Sequence, residues 1–247
     1  MNIRFFILPR HAIKLISACA RVHWARGQFV TFFGAVALAG CSALPDKPTR
    51  PSMYDFGPGA LTAQAFTPSA TRQAPLPSPL PLLPLAIDDI STTGGAIDNL
   101  AVLYRLGYTD VQQLRPYAQA RWSKPAAQLV QQRLREQLGQ RRTVFRIGEG
   151  AALNRSQNAV LPLQLRLELQ EFSQLFSAPE ASVGLIRLRA TLLELTPAGE
   201  KLLGQRLVVV QRPAASADAP GGVRALTAAT DAAIEELDQW LQQTPAR

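Results

Sequence analysis

Five leucines, Leu161, Leu163, Leu165, Leu167 and Leu169, alternate with Pro162, Gln164, Arg166, Glu168 and Gln170. Successive side chains of a strand point to opposite faces, so this period places every leucine on one side and every other residue on the other. A helix would spread the same leucines around its circumference. The segment therefore reads as a strand in a sheet covered on one face only. Residues 183–195 read as a second long strand, whose alternation slips at Leu192-Leu193, the mark of a bulge. Thr196-Pro197-Ala198-Gly199-Glu200 is a hairpin connection, and residues 202–211 return as the next strand. Upstream, residues 83–90 read as the first strand, with Pro84 placing its start at an edge, and residues 100–105 as the second. Residues 143–147 form a short strand.

Two segments carry a helical period instead. Ala126, Leu129, Val130, Leu134 and Leu138 recur at steps of three and four, with Ser123 as the expected cap, Pro125 in the first turn and Gly139 at the stop. Arg133, Arg135, Glu136, Arg141 and Arg142 fall off the apolar face and read as solvated surface. Residues 223–242 form the last helix, with Val223, Leu226, Ala233, Ile234, Leu237, Trp240 and Leu241 as its apolar stripe and Glu235, Glu236 and Asp238 on a solvated side. The expected fold class is α+β: a mainly antiparallel sheet with two amphipathic helices packed on one face.

The beginning of the chain reads as a leader. Arg21 and Arg26 close a basic region, residues 29–38 are apolar, and Leu38-Ala39-Gly40-Cys41 follows. The apolar run is well short of the roughly 20 residues a membrane-spanning helix needs. Basic start, short apolar core and small residues before a cut define a secretory signal, and Leu-Ala-Gly-Cys resembles the bacterial lipobox, in which the signal is cleaved after the small residue and the Cys is acylated. Here that implies cleavage after Gly40 and lipid attachment at Cys41. Ile16-Ser17-Ala18-Cys19 also fits the short pattern, but Arg10, His11 and Lys14 interrupt the apolar region before it. Ser42, rather than Asp, follows Cys41; by resemblance to lipoproteins of two-membrane bacteria, this favours the outer membrane, with the domain on its periplasmic face. The expected organisation is a removed signal over 1–40, a lipidated Cys and Pro-rich tether over 41–82, and a domain over 83–243. Within the tether, Met53-Tyr54-Asp55-Phe56 is more apolar and reads as a strand docked on the domain.

The formal charge of +8 belongs mostly to the leader. Arg4, Arg10, Lys14, Arg21 and Arg26 lie there without an acidic residue, leaving 21 basic residues against 18 acidic ones. An excess of about 3 is no footprint for a phosphate backbone, so no nucleic-acid partner is expected. Both histidines, His11 and His23, also lie in the leader, which removes Ser-His-Asp, Cys-His and His-metal chemistry from the processed chain. Asp88-Asp89 would point to opposite faces of a strand. No phosphate-binding glycine motif occurs. No catalytic residue, metal or cofactor is expected.

What remains is a stretch where aromatics adjoin arginines: Tyr104-Arg105-Leu106 running into Gly107-Tyr108, then Tyr117 and Arg121-Trp122 before the helix. Tyr104, Arg105, Tyr117, Arg121 and Trp122 are read as a partner surface, against a packing reading in which Tyr104 and Trp122 close the core edge and Arg121 bonds to loop carbonyls. With the lipobox, the Tyr54-Asp55-Phe56 segment, Pro125 and the helix over 129–138, this stretch resembles the ABC-type transport auxiliary lipoproteins that accompany MCE-type intermembrane lipid transporters. The resemblance covers residues 54–243. It implies a noncatalytic, outer-membrane-anchored accessory of a phospholipid transport system. Its implied partners are an MCE-domain protein and the ABC permease and ATPase of that system, with a homo-oligomer among the assemblies it allows. The alternative is a structural or regulatory envelope lipoprotein, such as an activator of a cell-wall enzyme or an assembly scaffold.

Overall fold

A computed structural model describes residues 50–59, 82–147, 149 and 161–244. Gly40, Cys41, the signal and most of the tether lie outside these residues. The described part belongs to one unit, Thr49–Arg247.

The leucine alternation forms β7, Leu163–Ala178. Leu165, Leu167 and Leu169 are buried, and so are Phe172 and Phe176, although these are out of phase with the leucines. A register shift between Leu169 and Glu171 inserts one residue and returns the phenylalanines to the core face. One edge of β7 carries β8, Ala181–Thr196, antiparallel along its length, and β8 carries β9, Gly199–Pro213. Gly199 closes the β8–β9 turn at φ 121°, which a side chain would strain. The slip at Leu192-Leu193 is a bulge, and its extra residue is Leu203 on β9.

The other edge of β7 is occupied in series. β2 (Leu85–Ile87) pairs at Leu163–Leu165, β3 (Ser91–Thr92) at Glu168 and Leu169, and β4 (Ala101–Leu106) at Gln174–Phe176. All three run parallel to β7. β6 (Val144–Arg146) adds parallel to β2. β5, Asp110–Trp122, lies antiparallel to β4, and β1, Ser52–Tyr54, lies parallel to β5. The leucine pattern predicts a mainly antiparallel sheet; the nine-stranded sheet is mixed. The first predicted strand, over 83–90, shrinks to β2 and ends before Asp88-Asp89, and β3 follows just beyond its predicted end. β1 is the docked Met53-Tyr54 segment, inside the stretch read as tether.

Helix α1, Ala126–Gly139, buries Ala126, Leu129, Val130, Leu134 and Leu138 as its spacing dictates. Ser123 does not cap it: no side-chain cap bond forms, and the Ser123 amide donates instead to the Tyr54 carbonyl at 2.7 Å. Helix α2, Ala219–Gln243, starts at Asp218, whose carboxylate accepts from the Gly221 amide at 2.8 Å. It packs across β7, β8 and β9, whereas α1 packs on α2 and β6.

The arginines of α1 and of the turn after it are not simply solvated. Arg133 donates from Nε (2.7 Å) and Nη2 (3.0 Å) to both carboxylate oxygens of Asp231, and Gln137 donates to the same group. Arg141 and Arg142 both donate to Asp238, at 2.9 and 2.7 Å. The Arg142 side chain is only 4% exposed, and Asp238 is buried rather than on a solvated side. These pairs bolt α1 to α2. Breaking such a buried pair from one side costs about 3–5 kcal/mol, because the surviving charge stays buried.

Helix α2 approaches β8 closely at Gly184, where a Cβ would lie 2.5 Å from the Ala225 carbonyl carbon. Gly184→Val is expected to lower stability by about 1–3 kcal/mol, read as a lower urea midpoint at unchanged slope. Gly94→Ala, in open space, is expected to leave the midpoint in place.

Candidate functional site

The β4–β5 hairpin holds every residue of the predicted surface, and its two faces divide them. Alternation along β4 sends Tyr104 to the helix side of the sheet and Arg105 to the outer side. Tyr104 and Tyr117 pack with centroids 4.6 Å apart, and Phe176 meets Tyr104 at 6.0 Å. Tyr117 Oη donates to Gln174 Oε1 at 2.8 Å, and Gln174 Nε2 donates to Ser182 Oγ at 2.7 Å. Gln174 is fully buried with both ends of its amide used, so the chain of bonds leaves no orphan at this point. Burial, with smaller contributions from Tyr104 and Asp218, pushes the Tyr117 phenol well above its ordinary range and keeps it a neutral donor.

Arg105, on the outer side, is largely committed. Its Nε and Nη2 hold Glu171 at 3.2 and 2.9 Å, while Nη1 donates to the carbonyls of Val111 and Gln112, each at 3.1 Å. Ser173 Oγ donates to Glu171 as well, at 2.7 Å. One guanidinium thus ties the start of β5 to β7 across β4. Arg121 turns outward, and its Nη1 donates to the carbonyls of Tyr117 and Ala120.

Trp122 is a correction. Read as part of a partner surface, it is 1% exposed. Its ring sits 5.7 Å from Phe56 and 5.7 Å from Phe172, which joins the segment just after β1 to β5 and β7 in one aromatic cluster. A ring already closed in by the core has no surface to offer a partner. Of the packing alternative, Trp122 at the core edge and Arg121 on carbonyls are what the structure contains.

The exposed apolar surface lies at the two ends of the hairpin, where sequence reasoning marked Tyr108 and overlooked Val111 and Leu100 as surface. Tyr108 and Val111 are exposed at the turn, and Met53 and Leu100 at the base. The missed signal was β5 itself, whose polar, Pro116-containing sequence gives no alternation. As for chemistry, no group of three or more His, Cys, Asp or Glu side chains that could hold a metal occurs among the described residues. Asp88 and Asp89 serve separate partners, Arg166 at 3.9 Å and Gln131 at 2.8 Å. The arrangement offers contact surfaces.

Residues 68–237 match the model of the ABC-type transport auxiliary lipoprotein component. The chain belongs to that family. The family is one of transport auxiliary lipoproteins and is not a known enzyme family. Among solved structures, protein XCC0632 from Xanthomonas campestris is similar at a TM-score of 0.53 and 21% identity, over 68% of this chain and 91% of that one. The hypothetical protein CT253 from Chlamydia trachomatis is more distant, with a TM-score of 0.41 and 9% identity over 66% and 97% of the two chains. Lipoprotein GNA1162 from Neisseria meningitidis gives 0.25 and 12%, over 64% and 99%. No curated protein sequence matches significantly.

Two outcomes follow from the geometry of this auxiliary lipoprotein. Trp122→Ala is expected to cost about 3–5 kcal/mol, seen as an early thermal midpoint, so that lost binding in that variant reports lost fold. Asp218 is held below its ordinary value of 3.8 by the Ser216 hydroxyl and the Gly221 amide. A depressed carboxyl stabilises the fold above its unfolded value and loses that contribution as pH falls through the folded one. Asp218→Ala should therefore cost about 1 kcal/mol at neutral pH, with the difference from wild type narrowing below pH 3.8 in parallel denaturation curves.

Proposed function

We propose that this auxiliary lipoprotein is a noncatalytic, outer-membrane-anchored accessory of an MCE-type intermembrane phospholipid transport system. In this reading the signal is cleaved after Gly40, Cys41 carries the acyl chains, and the domain stands on the periplasmic face. The membership of the chain in the transport auxiliary family carries the reading. The site supports it in kind, because the hairpin presents side chains for contact. The partners are an MCE-domain protein and the permease of the same system, whose separate ATPase supplies the energy.

The contact we assign to these partners is the turn of the β4–β5 hairpin. There Tyr108 and Val111 are exposed, and Arg105, Tyr104 and Tyr117 stiffen the strands beneath them. Preorganised strands lower the ordering cost of a small interface. Confinement to a membrane raises the local concentration of both partners, so a weak contact suffices.

A photo-crosslinking residue replacing Val111 in the acylated protein, in cells, is expected to capture the MCE-domain protein or the permease. Capture of cell-wall enzymes alone would instead favour a regulatory envelope lipoprotein and remove the transport reading.

A further inference from the structure

The base of the same hairpin, opposite its turn, combines three features. First, it is where the chain enters the fold. Ser52, Met53 and Tyr54 pair with Ala120, Arg121 and Trp122, and Ser52 lies only eleven residues after Cys41. Eleven residues span at most about 40 Å however they run. Without β1, the first strand among the described residues begins at Leu85, and the extended chain from Cys41 to it would span about 150 Å.

Second, the base is apolar and open. Met53 is 59% exposed and sits beside its cross-strand neighbour Arg121. Leu100, Leu103, Leu114 and Pro116 join Arg121 in lining a shallow groove of about 480 Å³ that contains no acidic side chain. Third, the charge of the groove itself is basic, with exposed Asp55 and Asp98 outside its lining, two residues from Met53 and Leu100. Apart from the carbonyl bonds of Nη1, the Arg121 guanidinium has no partner among the described residues, and Arg50, exposed just before β1, has none either.

An apolar surface with arginines at its rim matches the layer of a bilayer where phosphates meet acyl chains. We propose that the base of the β4–β5 hairpin rests on the phospholipid bilayer that holds Cys41. Met53 and Leu100 enter the interface, and Arg50 and Arg121 meet lipid phosphates. The inference rests on acylation of Cys41. The short leash keeps this patch near lipid permanently, which lets a weak contact persist. The free β9 edge lies five strand spacings away, about 24 Å, and its exposed Leu207 and Val209 have no such tie.

In the processed chain an acylated Cys41 leaves no free thiol, so single labels are clean. Acylated Met53→Cys, Leu100→Cys and Val209→Cys proteins, each carrying a bimane, would be reconstituted in phosphatidylethanolamine–phosphatidylglycerol vesicles. The vesicles contain lipids spin-labelled near the headgroup. Quenching at positions 53 and 100 is expected to exceed that at 209 by at least about twofold. Met53→Asp is expected to weaken quenching of the label at 100, while its circular dichroism stays that of wild type. Equal quenching at all three positions overturns the proposal, as does a label at 100 indifferent to Met53→Asp. The mass of the N-terminal peptide from the same vesicles separates the two readings. An unmodified Cys41 defeats the anchoring itself, whereas an acylated Cys41 with equal quenching defeats only the seating of the hairpin base.

Discussion

β7 has to satisfy two edges at once, and most of the fold follows from how it does so. Its β8 edge is served by one long antiparallel partner. Its other edge is served by β2, β3 and β4 in succession, so the backbone between residues 85 and 106 creeps along a single strand. β4 lies at the far end of that path only because β2 and β3 have used the near end. The hairpin, and through it β1, is therefore positioned by hydrogen bonding to β7 rather than by a helix. The bulge after Leu169 completes the arrangement, since without the phase change Phe172 would face outward and the aromatic contact with Trp122 and Phe56 could not form.

The second organising force is ionic and links elements far apart in sequence. Asp231 and Asp238 lie two turns apart on α2, seven residues and hence one face. They receive Arg133 and Gln137 from α1, and Arg141 and Arg142 from the turn after it. Such pairs contribute little net stability over an apolar contact, but they penalise any other setting of the helices heavily. They fix where α1 lies, and its N-terminus follows directly from β5 and from the Tyr54 carbonyl that takes the Ser123 amide.

Local patterns made part of this visible in advance. The leucines of β7, the slip in β8 and the two helical stripes report burial through spacing alone. The docked strand at Met53-Tyr54 announced itself as an apolar island among prolines. β5 escaped because an edge strand, free on one side over most of its length, has no need of alternation, and Pro116 argues against a strand from sequence. The Arg–Asp bolts escaped for another reason: a charged residue off an apolar stripe looks the same whether its partner is water or an aspartate 98 positions away. The site was half legible for the same cause. Aromatic–arginine adjacency marked the right hairpin, but adjacency along a strand puts neighbours on opposite faces, so Arg121 and Trp122 could never have shared one surface.

β1 is held by three residue pairs and by the insertion of Phe56 beside Trp122. With the Ser123 amide on the Tyr54 carbonyl, it is the junction through which tension on the upstream chain first enters the described domain. Because β1 pairs only with β5 among the described strands, its release would leave the remaining sheet paired. It would also move the first paired strand after Cys41 from Ser52 to Leu85, raising the extended span between them from about 40 to about 150 Å. The joint thus acts as a mechanical fuse: a pull from the N-terminal side is relieved by extension before it reaches the strands of the core.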